Sequence, residues 1–131
     1  MRVARGRAER TASEERGPTF SGKVWADPVL PSEDGMVVNN VFFEPGARTH
    51  WHTHEVGQVL HVLSGEGRLQ VRGGEGHALT PGDVAHIPAG EIHWHGARPE
   101  SYLLHLAVSV GPTGWLDEVS EDDYRSAFEG R

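Results

Sequence analysis

The chain is predicted to fold as an all-β barrel or sandwich of the jelly-roll class with one short helix at its C-terminus. From Phe20 onward, short runs of alternating apolar and polar residues follow one another, the period-two pattern of half-buried strands. Between them stand explicit turn signals: Glu44-Pro-Gly-Ala, Ser64-Gly-Glu-Gly, Gly73-Gly-Glu-Gly, Thr80-Pro-Gly-Asp and Pro88-Ala-Gly. A capping pattern is confined to the last dozen residues, where Ser120 precedes Asp123 by three positions.

The elements follow in order. Residues 1–18 are polar, carry five arginines (Arg2, Arg5, Arg7, Arg10 and Arg16) and show no periodicity, so they are expected to form a mobile arm. The arm lacks the apolar stretch of a secretory leader. Strands are expected over 23–26, 37–44, 50–54, 58–64, 67–72, 77–79, 83–87, 93–95 and 102–110, all within a barrel spanning 19–112. The tail, 113–131, is expected to hold a helix over 121–128, capped by Ser120 and stopped by Gly130.

Composition narrows the function. With 131 residues the chain fits a single domain with one core. A net charge of −7 argues against a nucleic-acid partner, since phosphate contacts need clustered Lys and Arg. No apolar run approaches the ~18 residues of a membrane span, and a cytoplasmic location is the expectation. The absence of cysteine excludes disulfides, thiolate ligands and a cysteine nucleophile. Any metal must be held by imidazole, amide or carboxylate groups. A small-molecule substrate is the expected partner.

Nine histidines in so short a chain are the unusual entry in the composition. Along a strand, residues i, i+2 and i+4 share a face, so His50, His52 and His54 are predicted to project together, as are His93 and His95. Two imidazoles about 7 Å apart at their Cα atoms can both lean onto one ion at ~2.1 Å. The same parity turns His95 inward with His93, and His105 alternates with Leu104 and Leu106. A neutral imidazole at either position suits proton transfer, its ordinary pKa being about 6.5. Asn39, Val41 and Phe43 share parity and are expected to wall the cavity. His50 is placed at the rim, His61 is expected to point away, and His77 and His86 carry no predicted role. Arg48 shares the parity of the ligand histidines, which would place it to attract anions, although a surface salt bridge is the commoner outcome for such a residue. Trp51 and Trp94 are expected to pack behind the ligands.

The run from Gly46 through His52-Thr-His54 and Gln58 to Gly65 resembles the first cupin motif, a Gly followed by His-x-His, a Glu and a Gly. The run Gly82…Pro88-Ala-Gly90-Glu-Ile-His93-Trp-His-Gly-Ala97 resembles the second. The resemblance implies a small jelly-roll barrel, homodimeric or homotetrameric, with a divalent metal in its mouth. Two positions depart from the general pattern: Gln58 stands where cupins usually carry Glu, and Ala97 where they often carry Asn. Phe43-Glu-Pro-Gly-Ala-Arg-Thr, Trp51-His-Thr-His, Gly57-Gln, His93-Trp-His-Gly-Ala, His105-Leu-Ala and Trp115…Tyr124 are similar to one subgroup, the bacterial manganese-dependent cupin hydroxynitrile lyases. That resemblance implies His52, His54, Gln58 and His93 as metal ligands and His105 as a pocket histidine beside the metal. It implies manganese first, with iron, nickel or zinc as alternatives. Three imidazoles and an amide leave a divalent ion its full charge, a stronger Lewis acid than a carboxylate-bound one. The expected activity is cleavage or formation of cyanohydrins. A non-haem Fe(II) dioxygenase and a non-enzymatic small-molecule binding module are the alternatives.

Overall fold

Period-two burial gives the barrel its inside and outside. The computed structural model describes residues 1–129, and among them thirteen strands form two antiparallel sheets. The first contains β1 (Glu14–Glu15), β3 (Val24–Glu33), β4 (Met36–Phe43), β12 (Leu103–Val110), β7 (Gly57–Gly65) and β10 (Val84–Pro88), neighbours in that order. In the second, β13 (Thr113–Trp115), β6 (His52–His54), β11 (His93–Ala97), β5 (Arg48–Thr49) and β2 (Phe20–Ser21) lie side by side. The strands β8 (Gly67–Val71) and β9 (Gly76–Leu79) extend the second sheet through β11.

Along β12, Leu103, His105 and Ala107 are buried, whereas Leu104, Leu106 and Val108 are only partly so. The interior is graded along the strands. Leu103, Phe43, Leu60, Val62, Leu69 and Ile87 form an apolar plug at one end. Further along the same strands the inward positions become His105, Asn39 and Gln58, so the plug gives way to a polar mouth. A second cluster of Trp51, Trp94, Val119, Tyr124 and Ala127 lies apart from this core, with the C-terminal helix packed over it. Both tryptophans thus pack where strand parity puts them, behind the histidines.

The expected strand over 23–26 continues to Glu33. Register shifts after Pro28 and Leu30 accommodate the prolines at 28 and 31 within it. A tight turn then reverses the chain, with Asp34 (φ 53°) and Gly35 (φ 78°) both left-handed, as a two-residue hairpin requires. The expected strand over 50–54 is interrupted: β5 ends at Thr49 and β6 begins at His52. The expected arm runs along the first sheet, with Glu14 and Glu15 paired to Ala26 and Trp25 and the Ala8 N–H donating to Pro28 O at 2.8 Å. The helix α1 covers Glu121–Ser126, shorter than expected, and the Asp123 N–H donates to Ser120 Oγ at 3.1 Å. Gly130, the expected stop, lies outside the described residues. No helix of the described residues is long and apolar enough to cross a membrane.

Candidate metal centre

The register of the second sheet brings the histidines together. His93 on β11 pairs directly with His52 on β6, and their rings lie 4.2 Å apart between centroids. The His54 ring is 5.1 Å from that of His52 and 5.6 Å from that of His93. Close packing of β11 against β5 permits this approach: a Cβ at Gly96 would lie 2.5 Å from both Ala47 O and Arg48 Cβ.

Hydrogen bonds behind the rings set their tautomers. His52 Nδ1 donates to His50 O and His93 Nδ1 donates to Glu91 O, each at 2.9 Å. A carbonyl only accepts, so both Nδ1 atoms carry the proton and both Nε2 atoms present lone pairs. His54 Nδ1 lies 3.3 Å from Thr113 Oγ1, and its Nε2 is buried without a hydrogen-bond partner. Gln58 completes the group from β7. Its Nε2 donates to Ser109 Oγ at 3.0 Å, which turns Oε1 to within 3.2 Å of His93 Nε2. Two acceptors therefore face each other in a buried site. A cation between them removes that conflict, and this donor set fits a divalent metal.

Burial, above all, pushes the His52 pKa well below its ordinary value, reinforced by the charges of His93 and His54 and opposed by the bond to His50. His54 is lowered to about 4 by burial and by His93, and burial lowers His93. The imidazoles are thus neutral near pH 7, the form that binds metal.

His95 stands one step deeper. A ring nitrogen from each of His52, His93 and His95 lies within 4.8 Å of the others, so His95 is within reach of the same ion. Its Nδ1 lies 3.0 Å from His105 Nε2, both rings are buried, and His95 Nε2 and His105 Nδ1 have no hydrogen-bond partner. Burial and the neighbouring His105 hold the His95 pKa well below its ordinary value, and burial lowers His105 to about 4. Phe43 packs against both rings.

His52, His54, Gln58, His95 and His105 open onto a cavity of about 280 Å³ that Asn39, Val41 and Phe43 also line. His50 contributes its carbonyl as a buttress for His52. Arg48 corrects the parity argument. The break at His50 and Trp51 puts Thr49, not Arg48, against the cavity. Arg48 is instead spent on the tail, donating to Val119 O at 3.0 Å and Glu121 Oε1 at 3.1 Å with its guanidinium 4.2 Å from the Tyr124 ring centre. Sequence reasoning missed Arg16, Thr49, Ser109 and Thr113, and assigned no role to Phe20 or Trp115, all of which line the cavity. Trp115 pairs with His52 across the strands and its ring lies 4.7 Å from the imidazole. Ser109 was within reach of parity from His105; the others depend on pairings distant in sequence.

The Cupin domain model matches residues 39–108. An (R)-mandelonitrile lyase from Granulicella tundricola is 42% identical over 118 residues, covering 84% of this chain and 90% of that protein. An acireductone dioxygenase from Gluconobacter oxydans is 35% identical over 80 residues, 59% of this chain but only 43% of that protein. Among solved structures, a cupin-like protein from Thermotoga maritima superposes with a TM-score of 0.86 at 41% identity, covering 95% of this chain and all of that one. The polyketide cyclase RemF from Streptomyces resistomycificus superposes with a TM-score of 0.69 at 25% identity, covering 91% of this chain and 89% of that one.

Proposed function

The chain belongs to the cupin family, and from that premise we propose that it is a cytoplasmic, metal-dependent lyase of the hydroxynitrile-lyase type. One observation carries the reading: Gln58 Oε1 faces the lone pair of His93 Nε2 among histidines held neutral, with no carboxylate among the described residues that line the cavity. Similarity to a mandelonitrile lyase over nearly its whole length supports the choice of reaction.

His52, His54, Gln58 and His93 would hold the ion, with manganese the metal we favour. A divalent ion so bound supplies Lewis acidity, undiminished by any carboxylate, to a developing oxyanion or cyanide. The two histidines outside this set suit a different task. His52 and His93 lean on carbonyls that lock one tautomer, whereas His95 leans on His105, another ring able to carry the proton on either side. When His95 Nδ1 donates to His105, His95 Nε2 offers a lone pair; when it accepts, Nε2 carries a proton. His95 Nε2 takes the hydroxyl proton of a cyanohydrin as the carbon–carbon bond breaks. The bonding pair leaves on cyanide, the oxygen lone pair closes the carbonyl, and the proton returns to cyanide as HCN. Val41 and Phe43 offer apolar walls to the aldehyde.

The test begins with elemental analysis of protein purified without added metal. Manganese-loaded protein should cleave mandelonitrile, read as benzaldehyde absorbance. His52→Ala should lose both metal and activity, and His105→Phe activity alone. Full activity after chelation would remove the metal from the reading, and inertness of the loaded protein would remove the lyase. The acireductone dioxygenase similarity favours a second reading, O₂-dependent cleavage with iron. Oxygen uptake under Fe(II) loading, without cyanohydrin turnover, would select it.

A further inference from the structure

Residues 14–21 form a strap across the barrel mouth. At one end β1 pairs with β3 in the first sheet, and the Arg16 N–H donates to Val24 O at 2.7 Å. Three residues later Thr19 O accepts from the His50 N–H at 2.9 Å, and Phe20 pairs with Thr49 in the second sheet. The crossing is thus fixed by backbone hydrogen bonds on both sides, and Arg16, Gly17, Thr19 and Phe20 line the cavity. Arg16 is the one Lys, Arg, Asp or Glu among the lining residues. It is half-buried, and no hydrogen bond or ion pair engages its guanidinium among the described residues. Arg48, close by in sequence to the ligands, is by contrast engaged by Gly46 O, Val119 O and Glu121.

A half-buried arginine whose guanidinium has no partner, in a cavity lined by no acid among the described residues, is a site for an anion supplied from outside. The planar fork matches a carboxylate in two parallel hydrogen bonds. Beside it the rings of Phe20 and Trp115, 5.4 Å apart, give the mouth an apolar side. We propose that Arg16 makes this cavity selective for small organic anions, a carboxylate on a compact apolar or aromatic body. As a statement about substrate, this rests on reading the cavity as the reactive site, but binding alone tests it. The cavity, at the low end of the ~300–1,000 Å³ typical of ligand sites, suits a body of about one ring.

The probes are mandelate and mandelamide, alike except for charge, titrated calorimetrically into full-length protein as purified, its metal content measured. The wild type should bind the acid about tenfold or more tighter than the amide, a difference of ~1.4 kcal/mol, and added salt should narrow the gap. Arg16→Gln should weaken acid binding about tenfold, as loss of a charge-assisted pair implies, with amide binding and melting temperature little changed. Arg16→Lys should keep part of the preference. Equal wild-type binding of acid and amide, binding of neither, or a preference that survives Arg16→Gln would overturn the proposal. Because no turnover is measured, failure of the lyase reading appears separately, in the mandelonitrile assay.

Discussion

Gln58 Nε2 donates to Ser109 Oγ, which makes Ser109→Ala an informative perturbation of the proposed metal centre. The two residues are direct partners in the β7–β12 ladder, so both side chains leave the sheet on the cavity side. The 3.0 Å bond from Gln58 Nε2 to Ser109 Oγ decides which end of the amide faces His93. A neutral buried hydrogen bond contributes about 0.5–1.5 kcal/mol. Loss of a group that orients a metal ligand typically costs about 10–100-fold in affinity, or ~1.4–2.7 kcal/mol. Ser109→Ala should therefore lower manganese affinity by about tenfold, towards the lower bound because one weak bond is removed. Ser109→Thr keeps the hydroxyl and should stay close to wild type. Competition against a metal-binding dye at fixed pH and salt measures both, with the melting temperature of chelated protein as a control for folding. An unchanged dissociation constant in Ser109→Ala would mean that the amide is not a ligand, and the four-donor assignment would have to be redrawn.

Three further outcomes are expected. Arg48→Met keeps the apolar stem but removes a charged donor from the buried Val119 carbonyl and the contact with the Tyr124 ring. It should cost about 2 kcal/mol, or roughly 7 °C by calorimetry for a chain of this size, with metal content intact. The Tyr124 hydroxyl donates to Ala97 O at 2.6 Å, and burial raises its pKa to about 12 from 10. The unfolded chain releases this proton first, so the contribution is fully present below pH 10 and is lost as pH rises towards 12. Denaturant melts should show a decline across that window that Tyr124→Phe flattens. Finally, the outward face of β4, β12, β7 and β10 bears Phe42, Leu104, Leu106, Val108, Val59 and Val84 beside Asn40, His61 and His86, and carries no Lys, Arg, Asp or Glu. A largely apolar patch without Lys, Arg, Asp or Glu is complementary to itself across a twofold axis. A homodimer is therefore expected by analytical ultracentrifugation, and Leu106→Glu should yield monomers.

Much of this architecture was legible because side-chain parity is a local property. His93 and His95, and Trp94 between them, fall on the faces that alternation predicts. Parity fails where a strand breaks, and the interruption between Thr49 and His52 reversed the placement of Arg48. The strand expected over 23–26 runs on through Pro28 and Pro31, and only the pairing with β4 shows how bulges accommodate them. β1 and β2 are two residues long, too short to have any period. The positions of Thr113 and Trp115 follow from the register of β13 on β6, about sixty residues apart in sequence, and that of Arg16 from its backbone bond to Val24, neither of which a local pattern encodes.

The indole seated on His52 makes the protein its own optical sensor. Trp115 is partly open to solvent on one side and lies 4.7 Å from a ligand ring on the other. An open-shell ion such as manganese or iron arriving at that imidazole offers the excited indole a non-radiative route that closed-shell zinc does not. Emission from this one tryptophan, isolated by comparison with Trp115→Phe, would thus report which kind of ion has arrived, with no label attached.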